Sequence, residues 1–174
     1  DDISHAERFE KQNHFLDEHQ EYAIVGTCRN TFDKAGIWNT YGQGGELTKE
    51  YIIKCNIFTH PTVMMRREAL LSAGMYTVCE RTMRGQDFDL WCKMYACGYK
   101  GYVLSDVLFD YYEERNKIKE IKAKYRLNNY RTHMIWRKKM GLSRKYDIYA
   151  YKELIAIIIP TNILVIYKKI KGKK

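Results

Sequence analysis

The sequence predicts an α/β fold in which a mixed sheet is flanked by helices and followed by a basic helical extension. Three observations carry that expectation. The run Tyr22-Ala23-Ile24-Val25-Gly26-Thr27-Cys28 is short and apolar, as in a strand buried on both faces of a sheet. Phe88, Trp91, Met94 and Tyr95 recur at the spacing of one helix face, and Gly98 supplies the stop. Two further strand-like runs, 99–104 and 107–112, flank Ser105-Asp106.

Taken in order, Ser4 and Glu7 form a capping-box pattern opening a helix that presents Phe9 and Leu16 on one face. After the first strand, residues 29–45 are rich in Gly, Asn, Thr and aromatics without a sustained period, and read as a long loop. A short helix is expected over 49–55, a strand over 62–65 and a helix over 67–73 stopped by Gly74. A long basic helix is expected over 116–140, turning Ile118, Ile121, Tyr125 and Leu127 or Asn128 toward the core, with Gly141 closing it. The last segment, 146–167, carries an apolar run broken by Pro160 and ends in Lys168, Lys169, Lys171, Lys173 and Lys174. That run is shorter than the roughly 20 residues a bilayer crossing needs. It suits either an interfacial segment held by lysines against anionic lipid or a core helix with a solvated tail.

With 45% apolar residues in 174, the chain can bury a core and is not disordered. Its +9 charge is unevenly held. Residues 1–114 carry 12 Lys/Arg against 18 Asp/Glu, a net of −6, whereas residues 115–174 carry 18 against 3, a net of +15. This divides the chain into an acidic body, 1–114, and a basic helical tail, 115–174. Five cysteines, Cys28, Cys55, Cys79, Cys92 and Cys97, show no C-x-x-C pair and read as reduced, mostly buried thiols in a cytoplasmic setting. Zinc ligation by Cys92 and Cys97 lacks a second paired ligand set. No glycine-rich phosphate loop or Ser/His/Asp set is visible, which argues against kinase and hydrolase chemistry.

The chemistry-bearing stretch is Arg84-Gly85-Gln86-Asp87-Phe88-Asp89-Leu90-Trp91. It sets Asp87 in the first turn of a helix, where a carboxylate is either a helix-terminal charge or a general base. Asp89, two residues on, turns away from Asp87 and reads as a capping or orienting group rather than a reacting one. His60 before Pro61 reads as a turn residue or as a contact to phosphate or an acceptor hydroxyl. Arg66 and Arg67 are either fork-shaped diphosphate donors or surface charge. Asp1 and Asp2, in a loop before a helix, suit Mg2+ or Mn2+ or form a solvated acidic end.

The run from Gly85 to Trp91 resembles the "(E/Q)-D-(Y/F)-D-L-W" signature of inverting family 2 glycosyltransferases of the GT-A fold. Asp1-Asp2-Ile3-Ser4 with Glu7-Arg8-Phe9-Glu10-Lys11-Gln12 resembles the end of that family's "D-A-D-D-I" motif and its "R-x-E-K-Q" helix. His60-Pro61-Thr62-Val63-Met64-Met65-Arg66-Arg67, then Gly74-Met75-Tyr76, resembles its "H-P-S-V-M-x-R-R … G-G-Y" segment. The resemblance implies a GT-A-like fold, here its acceptor-side half over 1–114, with the donor cradle upstream of Asp1. These residues alone are then expected to bind a nucleotide sugar weakly. It further implies Asp87 as the catalytic base, Arg84, Gln86, Trp91 and His60 as substrate contacts, and Asp1 and Asp2 as ligands of a divalent Mn2+ or Mg2+. The implied partners are a nucleotide-sugar donor and a glycan or lipid-linked acceptor in cell-surface polysaccharide synthesis. The interfacial reading of the lysine-rich end would place that action at the inner face of the membrane, and the core-helix reading in the cytoplasm. The family's aromatic-arginine pair near the acceptor is displaced here, since the chain reads Tyr111-Tyr112-Glu113-Glu114-Arg115. The competing reading is a non-catalytic basic module, with Tyr125, Tyr130 and Trp136 interleaved among cations to bind nucleic acid or anionic membrane.

Overall fold

A computed structural model describes residues 1–54, 58–115 and 121–159. In chain order the elements are β1 (Ile3–Ser4), α1 (Arg8–Glu18), β2 (Tyr22–Asp33), β3 (Gly36–Tyr41), β4 (Gly45–Leu47) and α2 (Lys49–Lys54). They continue as β5 (Met64–Met65), α3 (Arg67–Ser72), α4 (Gln86–Ala96), β6 (Lys100–Tyr112), α5 (Ala123–Lys139) and α6 (Asp147–Ile158). The six strands form one mixed sheet in the order β1-β6-β2-β3, with β4 also on β6 and β5 also on β2. Only the central β2–β6 pair is parallel.

β2 extends past Cys28 into the stretch expected to be a loop. It turns at Lys34-Ala35 and returns as β3, pairing Asp33 with Gly36 and Arg29 with Tyr41. The turn follows from chemistry: the Asp33 carboxylate accepts the Ala35 N–H at 2.9 Å, and Gly36 takes φ 106°, open to a residue without Cβ. The two strands expected at 99–104 and 107–112 are one, β6, whose register against β2 slips between Leu104 and Val107. Ser105-Asp106 is thus a bulge rather than a break. The strand expected at 62–65 is a 3-10 turn, His60–Thr62, followed by the two residues of β5.

α1 begins at Arg8 without a side-chain cap, because the Ser4 hydroxyl accepts the Arg8 Nε at 2.7 Å instead of capping the helix. Its inner face is Arg8, Gln12 and Leu16, spaced by four, and Phe9 points outward. α1 packs Leu16 and Phe15 against Tyr22, Val25, Met64 and Tyr102. The larger core joins Ile24 and Val103 of the sheet to Ile52 and Ile53 of α2, and to Phe88, Leu90 and Trp91 of α4. Trp136, Met140 and Leu142 belong to that same core, so α5 packs into the body and does not stand away from it. Its inward face is Asn128, Thr132 and Trp136, whereas Ile121 precedes the helix and is exposed. Ile118 and the residues from Pro160 onward lie outside the described residues. Cys28 and Cys92 are buried and Cys79 and Cys97 exposed, so the thiols are only partly interior. Cys55 lies outside the described residues.

Candidate active site

Gly85, at φ 156°, is the entry to α4, and a Cβ there would come within 3.3 Å of Asn129 Oδ1 in α5. The chain therefore turns into the helix with α5 pressed against it, and Asp87 falls in the first turn. Asp87 is half-buried, and its Oδ1 accepts the Phe88 N–H at 2.8 Å. Its charge reaches the Tyr76 phenol. Burial first, and then the Asp87 carboxylate, raise the Tyr76 pKa above the ordinary tyrosine value.

Tyr76 shares a 2.8 Å hydrogen bond between its hydroxyl and His60 Nε2. The His60 imidazole also stands edge-on to Trp91, with centroids 5.8 Å apart. The turn carrying His60 is held from beneath by α1. Arg8 Nη1 donates to the Pro61 carbonyl at 3.1 Å, and Gln12 Nε2 donates to the Thr62 and Val25 carbonyls at 2.8 and 2.9 Å. Those bonds give the Arg and Gln of the "R-x-E-K-Q" pattern a physical reason, since the buried Val25 and Thr62 carbonyls need donors and Arg8 adds one at the rim of the turn.

Arg29 Nε donates to the Thr59 hydroxyl at 3.0 Å, and its guanidinium lies 4.6 Å from the Tyr111 ring centroid and 5.1 Å from that of Tyr41. Next to Tyr111, the Tyr112 N–H donates to Asp2 Oδ1 at 2.9 Å. Contacts and chain neighbours together thus lead from Asp2 to Tyr112 and its neighbour Tyr111, through Arg29 to Thr59 and its neighbour His60, and on to Tyr76, which senses the Asp87 charge. Beside Asp2, a shallow hollow of about 310 Å3 is lined by Asp33, Lys34, Ala35, Tyr112, Glu114 and Arg115. Arg115 grips Asp33 there with two bonds of 2.7 and 2.8 Å, which holds the Asp33 carboxyl well below the usual carboxylate range.

The other expected site residues divide. Arg84 and Gln86 are exposed at the mouth of α4, with Arg84 over the Tyr125 ring at 5.5 Å and Gln86 Oε1 accepting the Gly85 N–H. Trp91 is corrected: its side chain is wholly buried against Phe58 and His60, because position 91 is on the inner face of α4. Its side chain is closed to solvent and touches the His60 ring. Arg66 is likewise structural, its guanidinium donating to the carbonyls of Tyr22, Leu16 and His19. Asp89 is turned inward, away from Asp87. It is fully buried, and its Oδ1 accepts Arg81 Nη1 at 2.7 Å and Trp136 Nε1 at 2.6 Å. Burial pushes its carboxyl up, but donation by Trp136, Thr77 and Arg81 outweighs this and leaves the pKa below the usual value.

Asp1 and Asp2 are exposed at the head of β1. Among the described residues no group of three or more His, Cys, Asp or Glu could hold a metal ion. Two adjacent carboxylates fit a hard cation that completes its shell with water and phosphate oxygens, as Mg2+ commonly does, and do not make a closed cage. Sequence reasoning overlooked Tyr76, although it quoted the residue within a motif, and Arg81 and Trp136, which only tertiary contact brings to Asp89.

No protein-family model matches the chain. Among solved structures, S. aureus TarS (residues 1–349, in complex with UDP-GlcNAc) superposes with a TM-score of 0.56 at 14% identity, over 91% of this chain and 45% of that one. The fold is GT-A-like. Among sequences, EpsE of Bacillus subtilis (strain 168), which carries a glycosyltransferase name, is 30% identical over 171 residues, or 97% of this chain and 61% of EpsE. Amylovoran biosynthesis glycosyltransferase AmsE of Erwinia amylovora is 29% identical over 110 residues, or 62% of this chain and 40% of AmsE. The chain thus spans 61% and 40% of the length of these two relatives.

Proposed function

We propose that the protein is an inverting family 2 glycosyltransferase of cell-surface polysaccharide synthesis, and that this chain supplies its acceptor side. The observation carrying this reading is the run of contacts and chain neighbours leading from Asp2 to the His60–Tyr76 pair, whose tyrosine senses the Asp87 charge. It links the residues implied in metal binding to the one implied in base catalysis. The glycosyltransferase names of EpsE and AmsE, and the UDP-GlcNAc held by TarS, support a nucleoside-diphosphate sugar as donor, and the motif resemblance implies a glycan or lipid-linked acceptor. The work is done at the cytoplasmic face of the membrane.

In the reaction, the acceptor hydroxyl attacks the anomeric carbon while the bond from that carbon to the diphosphate breaks, so the configuration inverts. Asp87 accepts the hydroxyl proton, and the electron pair of the broken bond leaves on the diphosphate. A positioned carboxylate base contributes about 10² to 10⁴-fold. Asp1 and Asp2 would hold the divalent metal, which when bound neutralises charge growing on the leaving diphosphate. Tyr76 fixes His60, and Asp89 fixes the helix that presents Asp87.

The test is Asp87→Asn in the full-length protein, with manganese and uridine, guanosine or thymidine diphosphosugars. Donor binding by calorimetry should be unchanged, and transfer should fall by roughly 10² to 10⁴-fold. Near-normal turnover would remove Asp87 as the base.

A further inference from the structure

We propose that the outer face of α6 is a docking surface for an anionic lipid bilayer. The helix exposes Ile148, Tyr151, Ile155 and Ile158, at 64%, 48%, 56% and 83% of their surface. At 3.6 residues per turn these four fall within an arc of about 80°, with exposed Lys152 next to it, while Arg144 and Lys145 lie in the turn that leads into the helix. The rest of the helix is tied to α5 through buried Ala150 and through two ion pairs, Arg126 with Glu153 opposite the stripe and Arg137 with Asp147 beside it.

Those ion pairs decide the occupant. Residues 115–174 contain three acids, and two of them, Asp147 and Glu153, are paired with arginines of α5. Among the described residues, Arg144, Lys145 and Lys152 have no acidic partner. An apolar stripe with uncompensated cations at Lys152 and in the turn before the helix fits a surface that is apolar beneath and anionic above. That is the boundary of a bilayer with acidic headgroups. A nucleic acid would match the cations and leave the isoleucines facing water. Among the described residues no helix is long and apolar enough to cross a membrane, so the helix would lie in the plane of the surface. The inference deepens the membrane location proposed above by naming the surface that makes the contact, and does not depend on the transferase chemistry.

Vesicle co-sedimentation of the full chain tests it, at about 0.15 M salt. Vesicles of phosphatidylcholine with about 30 mol% phosphatidylglycerol should bind, and pure phosphatidylcholine should bind far less. The double variant Ile155→Asp/Ile158→Asp should lose at least about tenfold in partitioning, because two exposed apolar side chains no longer enter the interface. Lys152→Gln should lose about fivefold, the worth of one surface cation. Far-UV circular dichroism should match wild type for both, since the altered side chains are exposed. Unchanged partitioning of the double variant would overturn the proposal. So would binding abolished by deleting residues 160–174 but untouched by the stripe variants, or a wild-type dimer in sedimentation velocity that the double variant abolishes. Capture of a single-stranded oligonucleotide in place of vesicles, indifferent to the isoleucine changes, would also overturn it.

Discussion

Trp136 Nε1 donates to Asp89 Oδ1 at 2.6 Å, tying α5 to the helix that presents Asp87. Arg81 closes on the same oxygen at 2.7 Å and also donates to the Thr132 hydroxyl at 2.8 Å, so one buried carboxylate gathers three segments. Removing one member of a buried charge pair strands the other, at a cost of about 3–5 kcal/mol. Asp89→Asn should therefore lower the unfolding free energy by that order in urea titrations. The Asp89 pKa is lowered by folding, so its contribution is fully present above the unfolded carboxylate value and fades as pH falls through the folded one. A variant as stable as wild type at pH 7 would show the contact to be idle.

His133 lies in α5 with its ring 4.5 Å from Phe88, one residue from Asp87. Burial first and then the nearby Lys152 charge lower its pKa to about 4. A histidine held neutral in the fold but free to protonate when unfolded stabilises fully above its unfolded pKa of about 6.5. The contribution drains away between about 6.5 and about 4, amounting to about 3 kcal/mol. Denaturation midpoints for wild type should fall between pH 7.5 and 5, and His133→Gln should flatten that slope. An equal slope in both proteins would mean the imidazole is not held neutral.

Met75 has φ 55°, where the resembling motif has a second glycine. The left-handed region crowds a Cβ, so a non-glycine residue there is strained by about 1–2 kcal/mol. Glycine's greater freedom when unfolded offsets part of that gain. Met75 is half exposed, and its carbonyl accepts Lys93 Nζ at 2.7 Å, a bond that the substitution preserves. Met75→Gly should thus stabilise the protein by up to about 1 kcal/mol, read as a higher thermal midpoint. A lower midpoint would mean that the Met75 side chain packs more than it strains.

What could be read from the sequence follows the range of each interaction. The period of Phe88, Trp91, Met94 and Tyr95 fixed α4 and put Asp87 in its first turn, because helix faces are local. The β2–β3 hairpin was hidden by composition, although Asp33 and Gly36 carried the turn signal. Trp91 was misjudged because a motif position says nothing of which way a side chain faces. The same helical period that located α4 turns Trp91 inward. Asn128, Thr132 and Trp136 escaped as the inner face of α5 because two of the three are polar. They are buried by bonds to Glu80, Arg81 and Asp89, partners 47 to 51 residues away.

Tyr76 stands between the two groups nearest the proposed chemistry, and its hydroxyl can be removed without emptying its volume. Tyr76→Phe releases His60 Nε2 from its 2.8 Å partner while the ring still packs beside it. Loss of one such bond should change stability by about 1 kcal/mol. Transfer by the full-length protein should slow by about tenfold with donor binding unchanged, because a loosened imidazole costs alignment and not affinity. A second measurement separates position from activity. The Asp87 charge disfavours ionisation of the Tyr76 phenol, so Asp87→Asn should move the Tyr76 pKa down toward the ordinary tyrosine value. Ultraviolet titration of phenolate absorbance, with Tyr76→Phe as the blank, reads that shift directly. A Tyr76 titration indifferent to Asp87→Asn would show that the carboxylate and the phenol do not sense each other.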